Sequence, residues 1–244
     1  MRIGIAGVTG RMGGMLVEEV SRAKQDFAGG TSRSGEGIAA VADRSDVVID
    51  FTHASTVVAH ATALGDAGTA WVLGTSGLTD ADEAAVAMAA RRIAVVYASN
   101  FAPGVSLVLA LAERMAAALP AEEYDAEIVE MHHRQKVDAP SGTAIGLGRA
   151  VAAGRGVDLA SVRESGRDGH VGPRKPGAIG FASLRGGQVV GEHTLLFAAA
   201  DEQISLTHRA FDRRAFATGA VRAARWAIGR PAGLYDMMDV LCMR

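Results

Sequence analysis

From Arg2 to Asn100 the chain alternates short β-branched runs (RIGIAG, DVVIDF, AWVLGT, IAVVYASN) with longer alanine-rich stretches interrupted by polar residues (RMGGMLVEEVSRA, ASTVVAHATALGDAG, ADEAAVAMAARR). Runs that are apolar on both faces read as strands of a parallel sheet covered on both sides. The stretches between them read as the amphipathic helices that cover it. The pattern predicts a doubly wound α/β architecture. With 244 residues, 49% of them hydrophobic, there is enough material for one large core or two modest ones.

The texture changes from Phe101. VSLVLALAERMAAAL reads as a helix, AEIVEMHH as a strand, and SGTAIGLGRAVAAG as a second helix opened by a Ser or Thr cap. AIGFASLRGGQVVGEHTLLFAAADEQISLTHRA then alternates apolar and polar residues, with Gly186 and Gly187 at an expected hairpin turn, which predicts a meander of antiparallel strands. GRGVDLASVRESGRDGHVGPRKPGAIG has no sustained period and is expected to be a mobile loop or a plain solvated connection. The tail is helical through ATGAVRAARWAIG and closes on GLYDMMDVL. A helix so rich in small and aromatic residues needs a surface to cover, and a face of the first sheet is the expected one.

Charge and cysteine content exclude several functions. The net charge of -2 comes from interspersed acids and bases, so there is no electrostatic footprint for nucleic acid. Cys242 stands alone, no Cys/His spacing suits structural zinc, and a reducing, cytoplasmic location is expected. MRIGIAGVTG is neither a signal sequence nor a span of about 20 apolar residues, so no membrane is expected.

IGIAGVTGRMGGML sets Gly7, Gly10 and Gly13 directly after an apolar strand and at the opening of a helix. Glycines there allow a tight turn and close backbone approach, so free N–H groups and the positive helix end can hold a pyrophosphate. A dinucleotide site is expected, as against a plain strand-to-helix turn. At the tip of the second strand, FAGGTSRSG offers Ser32, Arg33 and Ser34 with no acid, and Glu36 lies a little beyond. Arg33, unless an ordinary surface arginine, favours NADPH, with NADH also accepted. The segment from Arg33 to Val41 is short for a crossover. The later strand ends DFTHAS and GTSG add small polar residues to the groove.

EMHHRQKVDAPSGTA, Glu130 to Ala144, crowds two histidines, a lysine, an aspartate and a capped helix start together. Strand alternation puts Glu130 and His132 on one face and Met131 and His133 on the other, so the two histidines do not share one metal, and no metal site is expected. PSGTA can open a helix with Ser141 or Thr143 as cap and Gly142 allowing close approach, and Lys136 adds a positive charge. A carboxylate-bearing substrate would be held by both, with a histidine available as proton donor. The alternative is a set of solvated side chains before an ordinary capped helix.

EMHHRQKVDAPSGTA closely resembles the signature of the 4-hydroxy-tetrahydrodipicolinate reductase (dihydrodipicolinate reductase) family. The resemblance extends to GVTGRMG, IDFT, GTSG, ASNF, RGGQVVGEHTLLF, AVRAARW and GLYDMMDVL. It implies a Rossmann-like doubly wound parallel-sheet domain plus a smaller α+β domain with a mixed, largely antiparallel sheet. The dinucleotide-binding domain would comprise residues 1–103 and 213–244, and the substrate-binding and oligomerisation domain residues 104–212. It further implies NAD(P)H-dependent hydride transfer to a small cyclic dicarboxylate in lysine and diaminopimelate biosynthesis, by a homotetramer. His132 matches the proton donor and Lys136 the catalytic lysine. His133, Gly142 and Thr143, with Ser141 beside them, match the binding site for the substrate carboxylates. Gly7, Val8, Thr9, Gly10, Arg11, Met12, Arg33, Gly74, Thr75, Ser76, Ala98, Ser99, Asn100 and Phe101 match the cofactor contacts. Two departures stand out: Ser32 replaces the acid of NADH-using members, and Ser76 stands where threonine is usual. The domains are expected to close about hinges at Phe101 to Gly104 and Asp212 to Arg214. Two other readings fit the same plan: another two-domain NAD(P)-dependent oxidoreductase, such as an amino-acid dehydrogenase acting on an imine, and a dinucleotide-sensing protein without turnover.

Overall fold

The computed structural model describes residues 1–243. In chain order the elements are β1 (Arg2–Ala6), α1 (Arg11–Arg22), β2 (Asp26–Gly30), α2 (Ile38–Asp43), β3 (Val47–Asp50), α3 (Val57–Ala67), β4 (Ala70–Leu73), α4 (Asp80–Ala90) and β5 (Ala94–Tyr97). There follow α5 (Pro103–Ala118), β6 (Asp125–His132), α6 (Gly142–Gly154), α7 (Leu159–Val162), β7 (Arg163–Ser165), β8 (Ile179–Arg185), β9 (Gly191–Ala198) and β10 (Gln203–Ala210). The chain closes with α8 (Arg214–Ala227), β11 (Gly233–Tyr235) and α9 (Met237–Val240). Packing divides it into two compact units, the first from Met1 to Pro103 together with the segment from Arg214 on, the second from Gly104 to Arg213.

The first unit is a six-stranded sheet in the order β11-β5-β4-β3-β1-β2, with every pairing parallel. Its strands are short and buried on both faces because each face meets helices. Ile3, Ile5, Ile49, Val72 and Val96 pack beneath α1 and α8, while Val48, Trp71, Leu73 and Val95 pack beneath α2, α3 and α4. As expected of the small-residue tail, α8 lays Ala217, Ala220 and Ala224 into the first of these cores. The three-residue β11, too short to leave a period in the sequence, adds the sixth strand alongside β5. Helix α4 begins on a reciprocal cap in which Thr79 Oγ1 accepts from Asp82 N–H at 3.3 Å and Asp82 accepts from Thr79 N–H at 2.9 Å.

The second unit is a five-stranded mixed sheet in the order β10-β9-β6-β8-β7. The expected hairpin across Gly186 and Gly187 is not what forms: β8 and β9 are not neighbours, because β6 lies between them, parallel to β8 and antiparallel to β9. The diglycine instead closes the end of β6, with Gly186 N–H donating to His132 O at 3.0 Å and Arg134 N–H donating to Gly187 O at 3.3 Å. Only β9 and β10 form the antiparallel hairpin expected of a meander. One face of β6 and β9 is apolar over most of its length, with Ala126, Ile128, Leu195 and Phe197 packing against Leu147 and Val151 of α6 and Ala112 of α5. Residues 155–178 depart from a plain solvated connection. They contain α7 and β7, and Arg167 and Arg174 tie them to β6 through Glu127, at 2.9 and 2.8 Å.

In α1 the two glycines at its opening have opposite roles. A Cβ on Gly13 would lie 2.2 Å from Gly7 O and 2.7 Å from Val8 Cα, both backbone atoms that cannot swing aside, whereas a Cβ on Gly14 meets nothing within 4 Å. Gly13→Ala is therefore expected to cost about 1–3 kcal/mol through overpacking. Gly14→Ala should gain about 0.5–1 kcal/mol by removing unfolded-chain freedom inside a helix. Thermal denaturation of the two variants should shift Tm in opposite directions; a shared direction would contradict this division.

Candidate active site

In the first unit the strand-to-helix turn is built by backbone. Gly7 takes the left-handed region at φ 77°, its N–H donates to Thr31 Oγ1 at 2.9 Å, and Val8 N–H donates to Thr31 O at 3.0 Å. Gly10 caps α1 with no side-chain hydrogen bond, so no side chain of the cap occupies the opening N–H groups, and the positive helix end is presented by backbone. A cleft of about 770 Å³ runs over this turn, lined among others by Gly7, Gly10, Arg33, Thr52, Thr56 and His60. That combination of backbone donors and cleft suits a dinucleotide pyrophosphate. Beneath it Asp50, fully buried at the end of β3, accepts from Thr52 N–H at 3.0 Å and Thr52 Oγ1 at 2.6 Å, and its other oxygen lies 2.6 Å from His60 Nδ1.

Of the expected cofactor residues, Gly7, Thr9, Gly10 and Arg33 line this cleft. Arg33 is exposed and makes no ion pair among the described residues, and Glu36 is taken up by Arg44. Arg11 is exposed, while Val8 and Met12 pack half-buried against the core. Gly74 follows β4, donates to Asp50 O at 2.8 Å and sits so close to Phe51 that a Cβ would reach its ring at 2.3 Å. Thr75 is buried with Oγ1 unpartnered, and Ser76 and Ser99 are exposed. Ala98 donates to Leu73 O at 3.2 Å, Asn100 Oδ1 accepts from Ala102 N–H at 2.9 Å, and Phe101 is buried edge-on against Phe51 with centroids 5.4 Å apart. The His60 contact went unread in the sequence because it pairs with a strand end ten residues earlier, across a helix start.

In the second unit the apolar face of β6 and β9 turns polar at the opening of α6. Glu130, 1% exposed, is the centre of that change. Arg185, at the end of β8, grips it with both terminal nitrogens at 2.8 Å. Ser141 N–H donates to Oε1 at 3.3 Å, and His132 Nδ1 lies 2.6 Å from Oε2. Ser141 is the cap of α6: its Oγ accepts from Ala144 N–H at 3.2 Å and lies 2.8 Å from Nε2 of the buried His193. The His193 ring stands edge-on to that of His132, 5.0 Å between centroids. In the turn between β6 and α6, Lys136 Nζ donates to both oxygens of Asp138, at 2.8 and 2.9 Å, and Arg185 also reaches Asp138 O at 2.7 Å.

The expected residues of this unit therefore gather at one strand end: His132 at the last position of β6, Lys136 in the turn, Ser141 at the cap, and Gly142 and Thr143 in the first turn of α6. His133 lies just past the strand, half-buried, with Nδ1 enclosed and unpartnered. Arg185 and His193 join them from β8 and β9. Both stand in RGGQVVGEHTLLF, part of the family resemblance, but that stretch gives neither a role, since their link to Glu130 and Ser141 depends on strand pairing more than fifty residues away. Among the described residues no group of three or more His, Cys, Asp or Glu is arranged to hold a metal ion.

Four groups here titrate away from their ordinary values: the hydrogen bond from Lys136 lowers Asp138, that to Glu130 raises Arg185, and Glu130 and His193 shift further. Burial opposes the charge of Glu130, but hydrogen bonds from Arg185 and His132 outweigh it and hold the carboxyl at about 2. Burial, and next the charge of His132, push His193 down to about 4. Both folded values lie below those of the unfolded chain, so as pH falls the unfolded chain binds protons first and stability drops. For His193 that loss falls between pH 6.5 and about 4, and for Glu130 only below about 4.5. Urea denaturation of the wild type should lose on the order of 2–3 kcal/mol from His193 across its window. His193→Gln should flatten that limb and leave the steeper one below pH 4.5; an unchanged limb would refute the assignment to His193.

Comparison with known proteins agrees with this anatomy. The family model "Dihydrodipicolinate reductase, N-terminus" matches residues 1–101, and "Dihydrodipicolinate reductase, C-terminus" matches residues 104–241. A 4-hydroxy-tetrahydrodipicolinate reductase of Granulibacter bethesdensis is 70% identical, covering 100% of this chain and 98% of its own. That of Acidiphilium cryptum is 64% identical, covering 99% and 97%. The fold matches that of a dipicolinate-bound dihydrodipicolinate reductase from Paenisporosarcina sp. TG-14, with TM-score 0.79 at 24% identity over 98% of each chain. The chain belongs to the dihydrodipicolinate reductase family.

Proposed function

We propose that the protein is a 4-hydroxy-tetrahydrodipicolinate reductase, reducing a cyclic imine-like dicarboxylate to tetrahydrodipicolinate in lysine and diaminopimelate biosynthesis. The observation that carries this is the 70% identity, end to end, to a relative bearing that name. A reduced nicotinamide dinucleotide, when bound, supplies the hydride. The opening of α1 would hold its pyrophosphate through backbone N–H groups, and Gly13 lets that helix start pack directly on the Gly7–Val8 backbone, where a Cβ would meet Gly7 O at 2.2 Å. Arg33, exposed at the cleft with no ion pair among the described residues, favours the 2′-phosphate of NADPH, and NADH is accepted less well.

In the second unit the substrate's carboxylates are received by Lys136 and by the opening of α6 at Gly142 and Thr143, with His133 alongside. An anion there meets the positive helix end and a full ammonium charge, and the ring is held by two separate grips. Ser141 contributes through its capping of α6, since its hydroxyl is engaged by Ala144 and His193 and its N–H by Glu130. His132 delivers the proton that completes the reduction, its charge stabilising the negative charge that builds on the ring. The assembly is a cytoplasmic homotetramer built through the second sheet, whose edge strand β10 is followed by a Phe211 that is 89% exposed. No helix among the described residues is long and apolar enough to cross a membrane.

An amino-acid dehydrogenase would leave the dipicolinate precursor untouched, and a dinucleotide sensor would turn nothing over. Steady-state NADPH oxidation, with the precursor made in situ, separates the three. Wild type should oxidise NADPH, and His132→Gln should lower kcat by about 10²–10⁴ with NADPH binding unchanged. Arg33→Ala should raise KM for NADPH about tenfold and leave that for NADH nearly as it was. A wild type that binds NADPH but does not oxidise it would end this proposal.

A further inference from the structure

His132 has two ring nitrogens, and only one can face a substrate. Nδ1 lies 2.6 Å from a Glu130 oxygen, and the opposite edge, Nε2, lies beside Gly191, where an added Cβ would come within 3.0 Å. Arg185 matches Glu130 with a two-pronged grip, and a carboxylate so held can only accept. His193, fixed by Ser141, blocks rotation of the His132 ring from the β9 side. These contacts exceed what a structural ion pair between β6 and β8 requires. Arg185 and Glu130 could satisfy each other alone, yet the Glu130 oxygen nearest Arg185 Nη1 is the one shared with His132.

We propose that Glu130, clamped by Arg185, is the positioning residue for His132: it accepts a hydrogen bond from Nδ1–H at every stage, so that the transferable proton is always the one on Nε2. The proposal rests on His132 being the proton donor. In the donating step the Nε2–H bond breaks and the proton passes to the ring atom carrying the new negative charge. The imidazole left behind is neutral, with hydrogen on Nδ1, and is recharged from solvent at Nε2. Glu130 stays a carboxylate throughout, because Arg185 and Ser141 N–H leave it no reason to take the proton. The groups facing His132 set the charge it feels: Glu130 on β6, Arg185 on β8, His193 on β9, and Lys136 with Asp138 in the turn before α6.

Glu130→Gln keeps shape and can still hydrogen-bond, but it removes the charge and lets the ring settle in the wrong tautomer. It should lower kcat by about 10²-fold or more, as loss of the orienting carboxylate does in other histidine-dependent enzymes. KM for the substrate should stay within about threefold and NADPH binding should be unchanged. The limb on which kcat falls with rising pH should move to lower pH. Glu130→Asp should recover that limb and part of kcat, which a purely structural role would not predict. A folded Glu130→Gln protein with wild-type kcat and an unmoved limb would overturn the proposal. If that variant fails to fold, ¹⁵N-histidine spectra of the wild type decide: neutral His132 with hydrogen on Nδ1 supports it, and hydrogen on Nε2 overturns it. The spectra read the Glu130 contact whether or not the wild type turns over, so a failed assay and a failed positioning role give different results.

Discussion

A carboxylate taken out of water at position 130 is the constraint around which the second unit is arranged. Removing such a charge from solvent costs several kcal/mol unless hydrogen bonds replace its hydration. The replacements come from three elements: the Arg185 guanidinium on β8, Ser141 N–H at the start of α6, and His132 on its own strand. Each supplies one relation the fold must keep. Arg185 requires β8 to lie beside β6 in the register that pairs it with His132, and Ser141 requires α6 to begin where the apolar stripe of β6 ends. A slip of β8 by one residue would turn Arg185 to the other face and leave a bare buried charge.

The first unit repeats the device with a different outcome. Asp50, at the end of β3, is as buried as Glu130 and lies as close to a histidine, 2.6 Å from His60. There the remaining acceptor capacity goes to Thr52, through backbone and hydroxyl, and Thr52 also packs against Gly7, 3.0 Å from where a Cβ would stand. The buried acid thus holds the wall of the glycine turn. In the second unit the acid is matched by an arginine, which neutralises it, and the histidine is left with one nitrogen to spare. A strand end, a buried acid and a histidine recur in the two units, and the arginine is what the second adds.

What could be read from sequence follows from how local each signal is. The parallel sheet announced itself through doubly buried runs such as DVVIDF, and α6 through its serine cap, because burial period and capping act over a few residues. The placement of α8 on the first sheet was legible because a stripe of alanines has few other uses. β8 and β9 were misread as neighbours because Gly186 and Gly187 look like a hairpin turn to anything that sees only their flanks. That β6, closed some fifty residues earlier, lies between them is a property of the whole sheet. Strands of three residues, β7 and β11, carry no period at all. The site divided the same way: His132, Lys136 and the α6 opening sit in one motif, while Arg185 and His193 enter only through strand pairing.

The two cations around the site show why a lysine stands in one place and an arginine in the other. Arg185 holds Glu130 in a fixed fork, out of water, with both partners locked by neighbours. Such a pair cannot be opened without stranding a buried charge, so it persists through a catalytic cycle. Lys136 instead rests on Asp138, whose side chain is 59% exposed. An ion pair so open to water contributes little, because solvent offers each partner nearly as much as the other does. On the proposed reading, swapping the Asp138 carboxylate for one on a substrate would therefore cost little, and the ammonium, a point charge on a flexible stem, would follow the incoming group where a planar fork could not. On that reading, Asp138 would keep Lys136 close to the opening of α6 until a better-placed anion arrives.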